Sequence, residues 1–319
     1  MADAHALKSH VLTSHPDGIS HTEQPVRFRA GDDEVFGILT EPSGPPRGIG
    51  VVLLNATSDR NRFLTRFARR LAAAGFHVLR FDYHGFGESS GPLTGKELKH
   101  AMITLTTLQE PFTQDFLGGV EELRRRGLQH IVVIGRCFGS RTALSGVKDI
   151  PDLRGIVLIS LPMHSGGDAQ HPTNRWALDE VRSAAQRGAG LRVLRGMLNP
   201  RRRQRWMRKI RTAAGQLLRR PAAGKDGQPT DWVAETVVES LREATSRHIP
   251  VMILFGREES TYRDFLQAQA GPLDFLKQTP DSVTVSLVDG PTNNLTNLTV
   301  QEDVMRLTQE WVESRVRVS

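Results

Sequence analysis

The sequence predicts an α/β protein built on a mostly parallel, doubly wound sheet with one inserted segment. Three observations predict it. Short β-branched runs alternate with stretches of helical period through residues 49–160, and again through 249–312. Two of those runs, 49–54 and 131–134, are apolar without alternation, as strands covered on both faces require. Between the two halves, residues 161–248 interrupt the rhythm.

The elements follow in order. Residues 26–29 and 35–39 alternate around Gly31, Asp32 and Asp33, the pattern of an antiparallel hairpin. A Pro/Gly connector, 42–48, leads into the apolar strand 49–54. Residues 63–74 carry apolar side chains at helical spacing and stop at Gly75, a glycine just past a helix end. Residues 77–82 form the next strand, followed by a glycine-rich loop through Gly91. Residues 112–126 read as an amphipathic helix closing at Gly127. The strand 131–134 runs into Gly135, Arg136, Cys137, Phe138 and Gly139, and a helix-compatible run, 140–147, comes next. Residues 155–160 are another buried strand. Beyond the interruption, 251–255 and 283–288 are strands, while 262–276 and 300–312 are helices.

Composition sets limits. The chain has 319 residues, room for one large α/β domain with an insertion, and 38% hydrophobic residues. It lacks a run of eighteen apolar residues, so no membrane segment is expected. Residues 1–20 have no apolar stretch and read as a loose arm, not a signal peptide. A single cysteine excludes an intramolecular disulfide, fits a reducing cytoplasm, and excludes a zinc site built on several cysteines. No phosphate-loop or dinucleotide spacing occurs, so neither a metal nor an organic cofactor is implied. The formal net charge of +7 favours anionic partners. Much of it is concentrated at Arg201, Arg202, Arg203, Arg205, Arg208, Lys209 and Arg211. Those residues read either as a solvated helix face or as a docking surface for something acidic, such as an acyl carrier protein. Nucleic acid is not expected, because no nucleic-acid motif accompanies them.

Gly135, Cys137 and Gly139 give the G-x-S-x-G nucleophile elbow in its strand–turn–helix context, with cysteine in the serine slot. A Cβ at either glycine would collide with the neighbouring strand or helix on so sharp a turn. Together with Asp82, Tyr83, Gly85, Gly87 and Ser89, the elbow resembles the α/β-hydrolase superfamily, in its dienelactone-hydrolase-like and acyl-peptidase-like branches. The resemblance covers 26–160 and 249–312. It implies an α/β-hydrolase core over 21–160 and 249–319, with residues 161–248 as a helical lid.

The resemblance also implies site residues. Cys137 is the nucleophile, and a helix N-terminus together with Arg136 would lower its pKa. Phe138 supplies one oxyanion-hole amide. The second donor comes from the loop at Asn55, Ala56 and Thr57, where many relatives carry His-Gly; the Asn55 side chain or the Ala56 N–H takes that role. Glu259 falls by register in the acid's position, with Glu258 as the alternative. The family's histidine belongs in the loop after the last strand, where Asn293 stands, and no histidine follows His248. Asparagine takes no proton near neutral pH. His84 and His164, on loops at the carboxyl edge of the sheet, are the candidate substitutes. These features imply a small-molecule ester or thioester substrate. Without a base to activate water, simple hydrolysis is expected to be poor. Acyl transfer, cyclisation, or elimination of an acyloxy group such as acetate are favoured, as in some α/β-hydrolase-fold proteins of bacterial polyketide pathways. Two alternatives stand beside this: an ordinary thioesterase or esterase using His84 or His164, and a catalytically dead binding protein.

Overall fold

A computed structural model describes residues 10–12, 21–42, 44–55, 62–91, 112–163, 232–293 and 295–316. Among them, nine strands form one sheet. They are β1 (His10–Leu12), β2 (His21–Ala30), β3 (Asp33–Pro42), β4 (Ile49–Leu54), β5 (His77–Phe81), β6 (His130–Arg136), β7 (Leu153–Ile159), β8 (Val251–Gly256) and β9 (Val283–Val288). Their order is β1-β2-β3-β5-β4-β6-β7-β8-β9. The first three are antiparallel to their neighbours, and the other six run parallel. The chain steps from β4 outward to β5 and then returns to β6 on the other side of β4. The β4 and β6 loops therefore open side by side at the point where strand order reverses, the place where sheets of this kind hold ligands.

Both faces of the sheet are covered. On one side, Val51, Leu53, Val132 and Ile134 pack with Phe63, Phe67 and Leu71 of α1 (Arg62–Ala73) and Val304, Met305 and Val312 of α6 (Leu298–Arg315). On the other, Val52, Leu54, Ile131 and Val133 meet Phe116, Val120 and Leu123 of α2 (Thr113–Arg125). Ala143 and Leu144 of α3 (Phe138–Ser145) and Phe265 of α5 (Ser260–Gln269) complete that side. This two-sided burial is why β4 and β6 read as unbroken apolar runs. Helix α1 ends as its glycine requires: Gly75 has φ 94°, and Phe76 N–H donates to Leu71 O at 3.1 Å.

Three expectations are corrected. The arm 1–20 is not wholly loose, because His10, Val11 and Leu12 pair with Glu23, Thr22 and His21. The helix expected over 262–276 stops at Gln269, since Gly271 and Pro272 break it, and a 3-10 turn, Asp274–Gln278, follows. Helix α4 (Glu235–Ser246), inside the expected lid, is instead part of the core layer: its Val237, Leu241 and Ala244 are buried with the α3 side chains. Residues 164–231 of the insertion, including the basic stretch 201–211 and His164, lie outside the described residues, as do Ala56 and Thr57. No helix among the described residues is long and apolar enough to cross a membrane.

Phe116 is fully buried between α2 and α3, where its ring lies against Gly146. Phe116→Ala should cost about 3–5 kcal/mol of unfolding free energy, read as a lower urea midpoint at unchanged slope.

Candidate functional site

The elbow is the sharpest feature of the backbone. Cys137 has φ 54° and ψ −120°, a conformation a side-chain-bearing residue adopts only when its surroundings enforce it. The surroundings are backbone. A Cβ on Gly135 would stand 2.4 Å from Gly139 O, and one on Gly139 would stand 2.4 Å from Leu54 O. Both glycines are thus required for β6, α3 and the end of β4 to meet. Cys137 N–H donates to Ile159 O at 2.8 Å, and Ser140 Oγ donates to Gly135 O at 2.8 Å, which fastens the turn to β7 and to itself.

The thiol itself departs from expectation. Cys137 is 5% exposed and packs with Phe138 against Phe112. Burial pushes its pKa from about 9 up to about 11; Arg136 and the Phe138 N–H pull the other way but do not prevail. The expected low-pKa thiolate is therefore corrected: Cys137 rests as a neutral thiol.

Glu259 reaches the loop after β9. It stands at the N-cap position of α5, is buried, and has six donor groups within hydrogen-bond distance. Oε1 accepts from the backbone N–H of Thr292 at 2.5 Å and of Asn293 at 2.7 Å. Oε2 accepts from Thr292 Oγ1 at 2.8 Å, Gly256 N and Ser160 Oγ at 3.2 Å, and Thr261 Oγ1 at 3.3 Å. Ser160 Oγ also bonds Thr292 Oγ1. A carboxylate so engaged has little lone-pair capacity left to orient a base. Glu258, the alternative acid, is not among these contacts.

Arg136 joins the loops on either side of the elbow. Its Nε donates to Asn55 Oδ1 at 3.2 Å and its Nη1 to Asn293 O at 3.1 Å. Tyr83 Oη donates to Asn55 O at 2.9 Å and so fixes the same residue from the other side. Cys137, Phe138, Arg136, Asn55, Glu259 and Asn293 are thereby brought together.

His84 occupies a different wall. Its Nδ1 lies 3.0 Å from both carboxylate oxygens of Asp115, and the His84 main-chain N–H donates to Asp115 Oδ2 at 2.8 Å. The imidazole packs edge-on against Phe112, 5.1 Å between ring centres, and Phe112 also covers Cys137. His84 and Cys137 thus share one aromatic neighbour. Sequence reasoning missed Asp115, Phe112, Ser160 and Thr292. Asp115 left a signal: it is a carboxylate in the first turn of α2, only one residue from the apolar Phe116 that anchors the helix. No cluster of three metal-ligating side chains occurs among the described residues.

Comparison with known proteins places this geometry. The family described as serine aminopeptidase, S33, matches residues 44–277. No curated protein matches the sequence significantly. Among solved structures, the Pyrococcus furiosus esterase Pf2001 is similar over 97% of this chain and 98% of its own, with 16% identity and a TM-score of 0.54. A proline iminopeptidase from Mycobacterium smegmatis is similar over 92% of this chain and 98% of its own, with 18% identity and a TM-score of 0.53. For a dienelactone hydrolase from Anabaena variabilis the values are 93%, 99%, 14% and 0.53. Likeness at these identities is likeness of fold.

The raised thiol pKa has a direct readout. Thiolate is the reacting form, so alkylation of Cys137 by iodoacetamide should accelerate about tenfold per pH unit and level off only near pH 11. A plateau below pH 8, followed by mass spectrometry, would show a thiolate-stabilising site instead.

Proposed function

The chain belongs to the serine aminopeptidase S33 family of α/β-hydrolases, and from that premise we propose that it is an enzyme handling an ester or thioester at Cys137 in a step that does not activate water. One observation carries the reading. The carboxylate that would orient a histidine is occupied by the backbone of the very loop in which Asn293 stands. An elbow kept at φ 54° supports a reacting group there, because binding alone does not require that strain.

In acyl transfer the Cys137 sulfur attacks the acyl carbon, and its proton goes to the departing alkoxide or thiolate. The acceptor's hydroxyl or amine then attacks, the C–S bond breaks and the thiol reforms. Cyclisation is the same sequence with an acceptor on the acyl chain. Elimination asks less still: the C–O bond to a carboxylate such as acetate breaks as the C–C double bond forms, and the activated C–H proton passes to the departing carboxylate. Phe138 N–H and the Asn55 side chain are the groups this reading assigns to the developing oxyanion. Such steps belong to natural-product assembly of the polyketide type, with an acyl carrier protein as the acidic partner for residues 201–211.

A second reading has its own observation. Asp115 faces His84 Nδ1 as the acid of a hydrolase faces its histidine, so a base on the Phe112 side would restore ordinary ester hydrolysis.

Intact-protein mass spectrometry separates the two. Wild type incubated with acyl thioesters and activated esters should accumulate an acyl adduct, lost in Cys137→Ala, that water removes slowly and an added amine or alcohol removes quickly. Rapid hydrolysis with no accumulating adduct would support the second reading. In that case His84→Ala should lower kcat at least about a hundredfold, and Asp115→Asn should lower it in the same direction.

A further inference from the structure

Arg136 is the least explained charge in the site. It is the last residue of β6, adjacent in sequence to the nucleophile, and 9% exposed. Arginine does not shed its proton in a protein, so this is a buried cation. Burying a charge without an anionic partner is costly, and buried guanidinium groups ordinarily sit on carboxylates. Arg136 does not. Its two hydrogen bonds go to neutral acceptors, the Asn55 side-chain carbonyl and the Asn293 main-chain carbonyl. It forms no ion pair with any carboxylate among the described residues. Glu259 is close enough to interact through space, yet its oxygens are held by six other donors. Two bonds leave three of the five guanidinium N–H groups for another acceptor.

A second observation falls on the same residues. Asn293 Oδ1 is buried with no hydrogen-bond partner. Such an orphan is uncommon inside a protein and marks a place where a missing molecule supplies a donor. It belongs to the residue whose main chain Arg136 holds. The guanidinium N–H groups lack an acceptor and Asn293 Oδ1 lacks a donor; an ionised carboxylate answers the first and not the second.

We propose that Arg136 is the recognition site for a carboxylate carried by the substrate, so that the ester or thioester acted on at Cys137 is one bearing a carboxylate close to the reacting carbonyl. This rests on the reading of Cys137 as the reacting group and narrows its substrate class. The neutral hydrogen bonds to Asn55 and Asn293 hold the guanidinium in place, and the free N–H groups form the charge-assisted pair when the carboxylate arrives. Arg136 then acts as a binding residue that also fixes the two loops.

The test uses two alkylating reagents of nearly equal size. Iodoacetate carries a carboxylate and iodoacetamide does not. The ratio of their rates at Cys137 is compared with the same ratio for glutathione, at one pH. Arg136 should raise the iodoacetate-to-iodoacetamide ratio about tenfold or more over glutathione, as one charge-assisted hydrogen bond implies. Arg136→Gln should bring it back to within about twofold. Because Arg136→Gln removes a structural tie, wild type is also measured alone: propionate should slow iodoacetamide labelling of Cys137, and propionamide should not. A ratio equal to that of glutathione, a ratio unchanged in Arg136→Gln, equal effects of propionate and propionamide, or a Cys137 that neither reagent reaches would each overturn the proposal. Anion selectivity in a protein that forms no acyl adduct would sink the acyl-enzyme reading and leave the carboxylate site standing. Adduct formation without anion selectivity would do the reverse.

Discussion

Everything at the site depends on how closely three backbone segments approach one another. The end of β4, the end of β6 and the first turn of α3 meet at Gly135 and Gly139, where a methyl group would overlap carbonyl oxygens. That contact forces Cys137 into a positive φ and turns its side chain out of the sheet. The cost of the strained residue is offset by packing: β4 and β6 are buried along their lengths, and the Cys137 N–H and Ser140 hydroxyl are tied to β7 and to Gly135. The loops that carry Asn55, Glu259 and Asn293 are placed by the same sheet. The site's geometry is thus a consequence of strand order, since β4 and β6 are neighbours that the chain visits out of sequence.

Glu259 ties three loops together. Its carboxylate is held by amides and hydroxyls of Gly256, Ser160, Thr261, Thr292 and Asn293. Asn293 brings a backbone N–H that serves the carboxylate, and Thr292 brings both an N–H and a hydroxyl. The His84–Asp115 pair lies beyond Phe112, on the β5 side of the elbow.

The sequence was most legible where function is written in local backbone rules. The glycine spacing of the elbow and the unbroken apolar strands follow from short-range patterns, and the structure places both where those patterns put them. Tertiary effects were not legible. Arg136 beside Cys137 reads in one dimension as a thiolate-stabilising cation; burial reverses the sign, and burial is set by Phe112 from a distant segment. Asp115 reads as an ordinary first-turn acid complementing a helix dipole, and only the fold shows its oxygens turned to His84. Helix α4 was hidden inside the insertion because its Val237, Leu241 and Ala244 spacing fits a lid as well as a core layer.

The charges of the site explain why cysteine suits it. At rest the thiol is kept neutral by its burial, and the Arg136 guanidinium beside it is positive. A serine there would need its hydroxyl proton removed by a base that Asn293 cannot be. A thiol with a pKa of about 11 is ionised to about one part in ten thousand at pH 7, scarce but far more than any alcohol. As charge develops on the sulfur, the Phe138 N–H already lies against it, and no imidazolium needs to form. The arrangement favours a reaction in which negative charge appears and departs with the leaving group. It disfavours one that must draw a proton from water, because Asn293 takes no proton and the Glu259 oxygens are engaged by amides and hydroxyls.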